Sequence, residues 1–119
     1  MANALRGEVD FHVGEKTYLL RLSLGDHKAL QQATGIPTLA WGKLLEERKI
    51  GAVEVDAILT LALRSGDKER FRRAADIAEV MEEAGSSACT NAALEVLMTS
   101  LTDPRDRQPK SEENGDRPL

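Results

Sequence analysis

The sequence predicts an α+β fold: an N-terminal β-hairpin, then about five short α-helices, then a charged C-terminal tail. Three observations predict it. Apolar and polar residues alternate only between Val9 and Leu22, and a period of two marks half-buried strands. From Ser23 onward the apolar residues recur at helical spacing, in segments bounded by Ser, Thr, Asp, Gly and Pro, the residues that start and stop helices. Beyond Asp103 apolar residues almost vanish.

In the hairpin, Val9, Phe11 and Val13 alternate with Glu8, Asp10 and His12, and Tyr18, Leu20 and Leu22 alternate with Thr17, Leu19 and Arg21. A two-residue Gly14-Glu15 loop sets Val13 opposite Lys16, Phe11 opposite Tyr18 and Val9 opposite Leu20, so the apolar side chains share one face. Gly14 at the first central position suits a type II′ turn. Leu19 is left on the outer face. Two strands alone are marginal in water, so the apolar face must be covered by the helices or by another chain.

Ser23 and Asp26 form a capping pair for a first helix to about Ala33, which Gly35 closes and Pro37 stops. Thr38 is expected to cap a second, "LAWGKLLEERK", ending before Gly51, with Leu39, Trp41, Leu44 and Leu45 on its apolar side. In the third, "VEVDAILTLALRSG", Val55, Ile58, Leu59 and Ala62 fall on one face, while Leu61 and Leu63 lie off it. Asp67 is expected to cap a fourth, "KERFRRAADIAEVMEEAG", with a stripe of Phe71, Ala74, Ala75, Ala78 and Met81 that ends at Gly85. Ser87 starts the fifth, whose buried side is expected to be Ala93, Leu94, Leu97, Met98 and Leu101. Residues 1–102 are thus expected to form one domain. Residues 103–119, "DPRDRQPKSEENGDRPL", have too few apolar groups to offset the entropy of ordering and are expected to be a flexible tail.

Composition narrows the function. The chain has 119 residues, a net charge of −4, one Cys, one Trp, one Tyr and two Phe, so its core must rest on Leu, Ile, Val and Ala. The acidic balance argues against a nucleic-acid footprint, which needs a basic stripe, and against anionic membranes. No apolar run approaches a membrane span and none resembles a signal peptide. Cys89 has no partner for an internal disulfide. A soluble protein of a reducing compartment is the expectation.

No constellation for catalysis or cofactor binding emerges. His12 and His27 have no Cys or second His at ligand spacing and read as solvated surface residues. Glu46-Glu47 and Glu82-Glu83 read as solvated faces, because adjacent helical residues diverge. Ser86, Ser87 and Cys89 have no His at a recognisable offset, and the glycines form no phosphate loop. Lys68, Arg70, Arg72 and Arg73 are interleaved with acids and read as a mixed solvent face. No enzymatic activity, metal or cofactor is expected. Leu19, Trp41, Leu61 and Leu63 remain as apolar side chains that either complete the core or mark a partner-binding surface.

The order of motifs adds to this. "RGEV" leading into a Gly-turned hairpin, "YLLRLSLG" opening a helix that ends in "ATG", "TL" opening the next, and "ILTLALRSG" resemble the small tail assembly chaperone family of gene transfer agents and siphophage-like prophages. The similarity runs from Asn3 to Gly66 and more loosely to Leu101. The resemblance implies a non-enzymatic morphogenesis protein of the bacterial host cytoplasm, absent from finished particles, that binds the tape measure protein and recruits tail tube protein, with homo-oligomers possible. A structural tail tube component is the near alternative. A small helical DNA-binding regulator is the remaining one, disfavoured because its one basic segment is salted with acids.

Overall fold

The computed structural model describes residues 2–102; the expected tail, residues 103–119, lies outside the described residues. The architecture is the α+β arrangement expected from the sequence. Strands β1 (Glu8–Val13) and β2 (Lys16–Arg21) form an antiparallel hairpin, followed by α1 (Leu24–Thr34), a 3₁₀ turn (Thr38–Ala40), α2 (Trp41–Glu46), α3 (Ala52–Gly66), α4 (Ala74–Ala84) and α5 (Ser86–Leu101). The register pairs Val13 with Lys16, Phe11 with Tyr18 and Val9 with Leu20. Gly14 has φ 61° while Glu15 is not left-handed, the sign pattern of a type II′ turn. All the inward residues expected of the hairpin, from Val9 to Leu22, are buried.

Local chemistry starts α1 where the sequence places it. Ser23 is its N-cap: Asp26 N–H donates to Ser23 Oγ at 3.1 Å, and Ser23 N–H donates back to Asp26 Oδ2 at 2.8 Å, a reciprocal capping box. At the other end Gly35 adopts φ 75° and donates to the Gln31 carbonyl at 2.7 Å, the left-handed cap that glycine favours. Helix α3 carries its expected face, Val55, Ile58, Leu59 and Ala62, into the core. Glu54 Oε1 accepts from Gly51 N–H at 2.7 Å to close its first turn.

Three helical expectations are corrected. Thr38 caps nothing: the chain enters a 3₁₀ turn with Pro37 as the flanking residue, and α2 begins only at Trp41. Leu39 lies two residues before Trp41, about 200° around a helix, so once Trp41 turns inward Leu39 points to solvent. Asp67 does not start α4. Its carboxylate accepts from Arg70 N–H at 3.2 Å and its carbonyl from Phe71 N–H at 3.2 Å, a single turn that stops because Phe71 is drawn into the core. There Phe71 packs on Tyr18 with ring centroids 5.7 Å apart, and Arg64 Nε holds the Phe71 carbonyl at 3.2 Å. Helix α4 therefore starts at Ala74 and buries Ile77 and Val80, leaving Ala74, Ala75 and Ala78 exposed. In α5 the buried side is Cys89, Ala92, Ala93, Val96 and Leu97, while Met98 and Leu101 are exposed. Cys89, Ala92, Ala93, Val96 and Leu97 share one helical face, and Met98 and Leu101 fall outside it.

Helix α3 meets the hairpin at its own end. The carbonyl of Leu19 belongs to a pair outside the ladder hydrogen bonds, so it points to the outer edge of β2. Gly66 lies against it so closely that an added Cβ would overlap the Leu19 carbonyl. Only glycine allows this approach. The other edge is also occupied: Glu8 N–H donates to the Asn3 carbonyl at 3.1 Å, and Ala2 N–H to Asp10 Oδ1 at 3.2 Å. The chain itself thus meets the backbone of each edge at one point, Glu8 on β1 and Leu19 on β2.

A histidine ties the ends of α1 and α5. His27, expected at the solvated surface, is buried, and its Nε2 lies 2.8 Å from Ser100 Oγ. Ser100 donates its one hydroxyl proton to the Leu97 carbonyl at 2.7 Å, so Nε2–H is the donor to Ser100. The buried Nδ1, left as a bare lone pair, has no hydrogen-bond partner among the described residues. Protonation would place an unmatched donor there. Burial accordingly lowers the His27 pKa, against a smaller raising effect of Asp26.

Two predictions follow from this packing. Gly66→Ala should destabilise the chain by about 1–3 kcal/mol or more by overpacking, measured by urea unfolding, whereas a neutral result would show that the edge contact gives way freely. For His27, the unfolded chain takes up a proton below its ordinary pKa while the folded chain resists, so stability should fall as pH drops from about 7.5 to 5.5. His27→Gln should lessen that fall; an unchanged pH profile would contradict the assignment.

Candidate protein-interaction surface

Of the four apolar residues singled out from the sequence, the structure removes two from any surface. Trp41 is 1% exposed and Leu63 fully buried. Trp41 sits at the start of α2, where its indole fills the core, and Leu63 follows Ala62 into the same cluster. Leu61 is partly buried against that cluster and Leu19 is half-buried beside the α3 terminus. These four side chains do not form one patch.

The exposed apolar groups are others. Leu39 is 96% exposed and Leu24 88%, with Leu5, Val53, Met98 and Leu101 also open to solvent. Leu24 lies one turn before His27, and Leu101 follows Ser100. Helical arithmetic around Trp41 could have found Leu39. No local signal marks Leu24.

A groove of about 500 Å³ opens between the start of α3, the C-terminal half of α4 and the start of α5. Its floor is apolar, made by Ile50, Val55, Met81 and Cys89, and its rim carries Asp56 and Glu82. No local pattern signals it, because its walls come from two separate segments, residues 50–56 and 78–90. Gly85, with φ 87°, sets the sharp turn from α4 into α5 that shapes one wall. Cys89 donates its thiol to the Met81 carbonyl at 3.5 Å, and burial raises its pKa. A thiol so held is a poor nucleophile.

The charged groups are arranged for solvent and for local bracing. Arg73 pairs with Asp76 at 3.0 and 3.1 Å, a hydrogen bond that lowers the Asp76 pKa, and Arg72 reaches Glu69. The Arg70 guanidinium lies 5.0 Å from the Tyr18 ring centroid and 5.7 Å from that of Phe71, a cation–π brace over the turn that feeds α4. His12 is exposed with Nδ1 3.0 Å from Thr17 Oγ1. Among the described residues no cluster of His, Cys, Asp or Glu could hold a metal ion, and no helix is long and apolar enough to cross a membrane.

What the arrangement offers is surface for protein contact: one acidic-rimmed apolar groove and isolated leucines on helical ends. No curated protein and no solved structure matches the chain. A family model described as phage tail tube protein, GTA-gp10, matches residues 6–103, from before the hairpin to just past α5. The chain therefore belongs to the GTA-gp10 family of phage tail tube proteins.

Proposed function

We propose that the chain is a non-enzymatic component of the tail tube, acting through contacts with other tail proteins and with copies of itself. The family match across the whole hairpin-and-helix body carries this reading. The surface supports it: the groove is apolar with a charged rim, and its one thiol is buried and engaged with a backbone carbonyl. Partner recognition by apolar anchors with polar rims is what such a surface does best.

A second reading is favoured by one specific observation. The sheet has two strands, and each edge is met by the chain itself, by the Asn3 turn at Glu8 and by Gly66 at Leu19. A tube wall of continuous sheet would need an open edge, so an assembly chaperone, holding the tape measure protein and delivering tube subunits, is the alternative. In either role the acidic body has no use for nucleic acid.

Quantifying the chain in purified tails decides between them. As a tube component it should be present at the copy number of the tube rings. Its absence from finished tails, together with co-purification and solubilisation of the tape measure protein on co-expression, would overturn the component reading in favour of the chaperone.

A further inference from the structure

We propose that the groove between α3, α4 and α5 receives Leu39 of a second copy of this chain, giving a head-to-tail contact. The inference rests on the tube-component reading for its biological setting, but its evidence is on the surface itself. Leu39 is 96% exposed on the 3₁₀ turn that leads into α2. Lys43, four residues on, lies on the same side of that helical stretch. Its ammonium makes only a loose 4.0 Å contact with Glu47, so its charge is available. Between them in the chain is Gly42, which has ordinary backbone angles and open space where a Cβ would be.

Nothing among the described residues requires that glycine. In a helix interior Gly is less stable than Ala, and no left-handed angle or crowding calls for it here. A flat spot beside an exposed leucine is suited to close approach by another surface. Leu39, Gly42 and Lys43 therefore form a knob with a basic edge.

The groove is its complement. Its floor of Val55, Met81 and Cys89 is apolar, and Asp56 and Glu82 on the rim have no ion pair among the described residues. With Leu39 on that floor, Lys43 would meet the acidic rim. Knob and groove lie on different elements; with each copy's knob in the next copy's groove the contact is heterologous, and its repetition yields rings or open helical filaments. The sheet edges are not needed for it.

The test is sedimentation of the full chain across a concentration series, with thermal melts of each variant. Wild type should self-associate, and Leu39→Ser should weaken association about tenfold or more. Gly42→Ala should raise the melting midpoint of the dilute chain yet weaken association, a split that a purely internal role would not produce. Lys43→Glu and Glu82→Lys should each weaken it, and the double variant should restore it. A chain that stays monomeric throughout, or variants that associate as wild type does, would overturn the proposal. So would a groove variant that loses only the capture of another tail protein. If the chain is stoichiometric in tails but these variants still assemble, the interface fails and the tube reading stands. If it is absent from tails yet associates through this face, the reverse holds.

Discussion

The approach of Gly66 to the Leu19 carbonyl is the constraint from which the rest of the fold follows. A two-stranded hairpin cannot hold its own apolar face in water, and α3 supplies the cover. Its face of Val55, Ile58, Leu59 and Ala62 reaches into the core, and its last residue must come against the strand edge for that face to seat. A side chain at Gly66 would lift the end of the helix and withdraw the face with it. Once α3 is seated, its C-terminus delivers the Asp67–Arg73 turn over the hairpin, where Phe71 meets Tyr18 and Arg70 closes above both rings. Helices α4 and α5 then fold back beneath β1. The groove is the seam this return leaves at the opposite end of α3.

The parts of this that were legible in the sequence are those decided within a few residues. The register of β1 and β2 follows from a two-residue loop and alternation, and the start of α1 from Ser23 and Asp26. Gly35 and Gly85 announce stops because glycine tolerates the left-handed backbone there. Most of the departures are tertiary. Asp67 has the chemistry of an N-cap and does cap one turn, but Phe71 gains more by entering the core than by continuing a helix. His27 lies near polar neighbours in sequence, yet its partner Ser100 is contributed by the far end of α5. The alanines of α4 fitted a helical stripe, although Ile77 and Val80, the larger groups, define the stripe that burial selects.

The same distinction explains the surface. Large apolar residues such as Trp41 and Leu63 bind partners, but they also fill cores, and a chain with so few aromatics needs its one indole inside. Leu39 and Trp41 are two residues apart, and angular position separates them. A groove assembled from α3, α4 and α5 has no sequence pattern of its own. Its apolar floor and acidic rim, with the basic knob of α2 elsewhere on the same chain, give a tail-family protein a means of association that leaves its small sheet intact.

Native-state hydrogen exchange of the free chain tests the central claim, that α3 and the hairpin form one cooperative unit joined at Gly66, most directly. Amides of Ile58 to Ala62 and of Phe11, Tyr18 and Leu20 should be the slowest, and should exchange together through global unfolding. Those of α2, the short helix that carries Gly42 and Lys43 of the knob, should open earlier. Hairpin amides that exchange well before α3, or α2 amides protected as strongly as α3, would contradict the account.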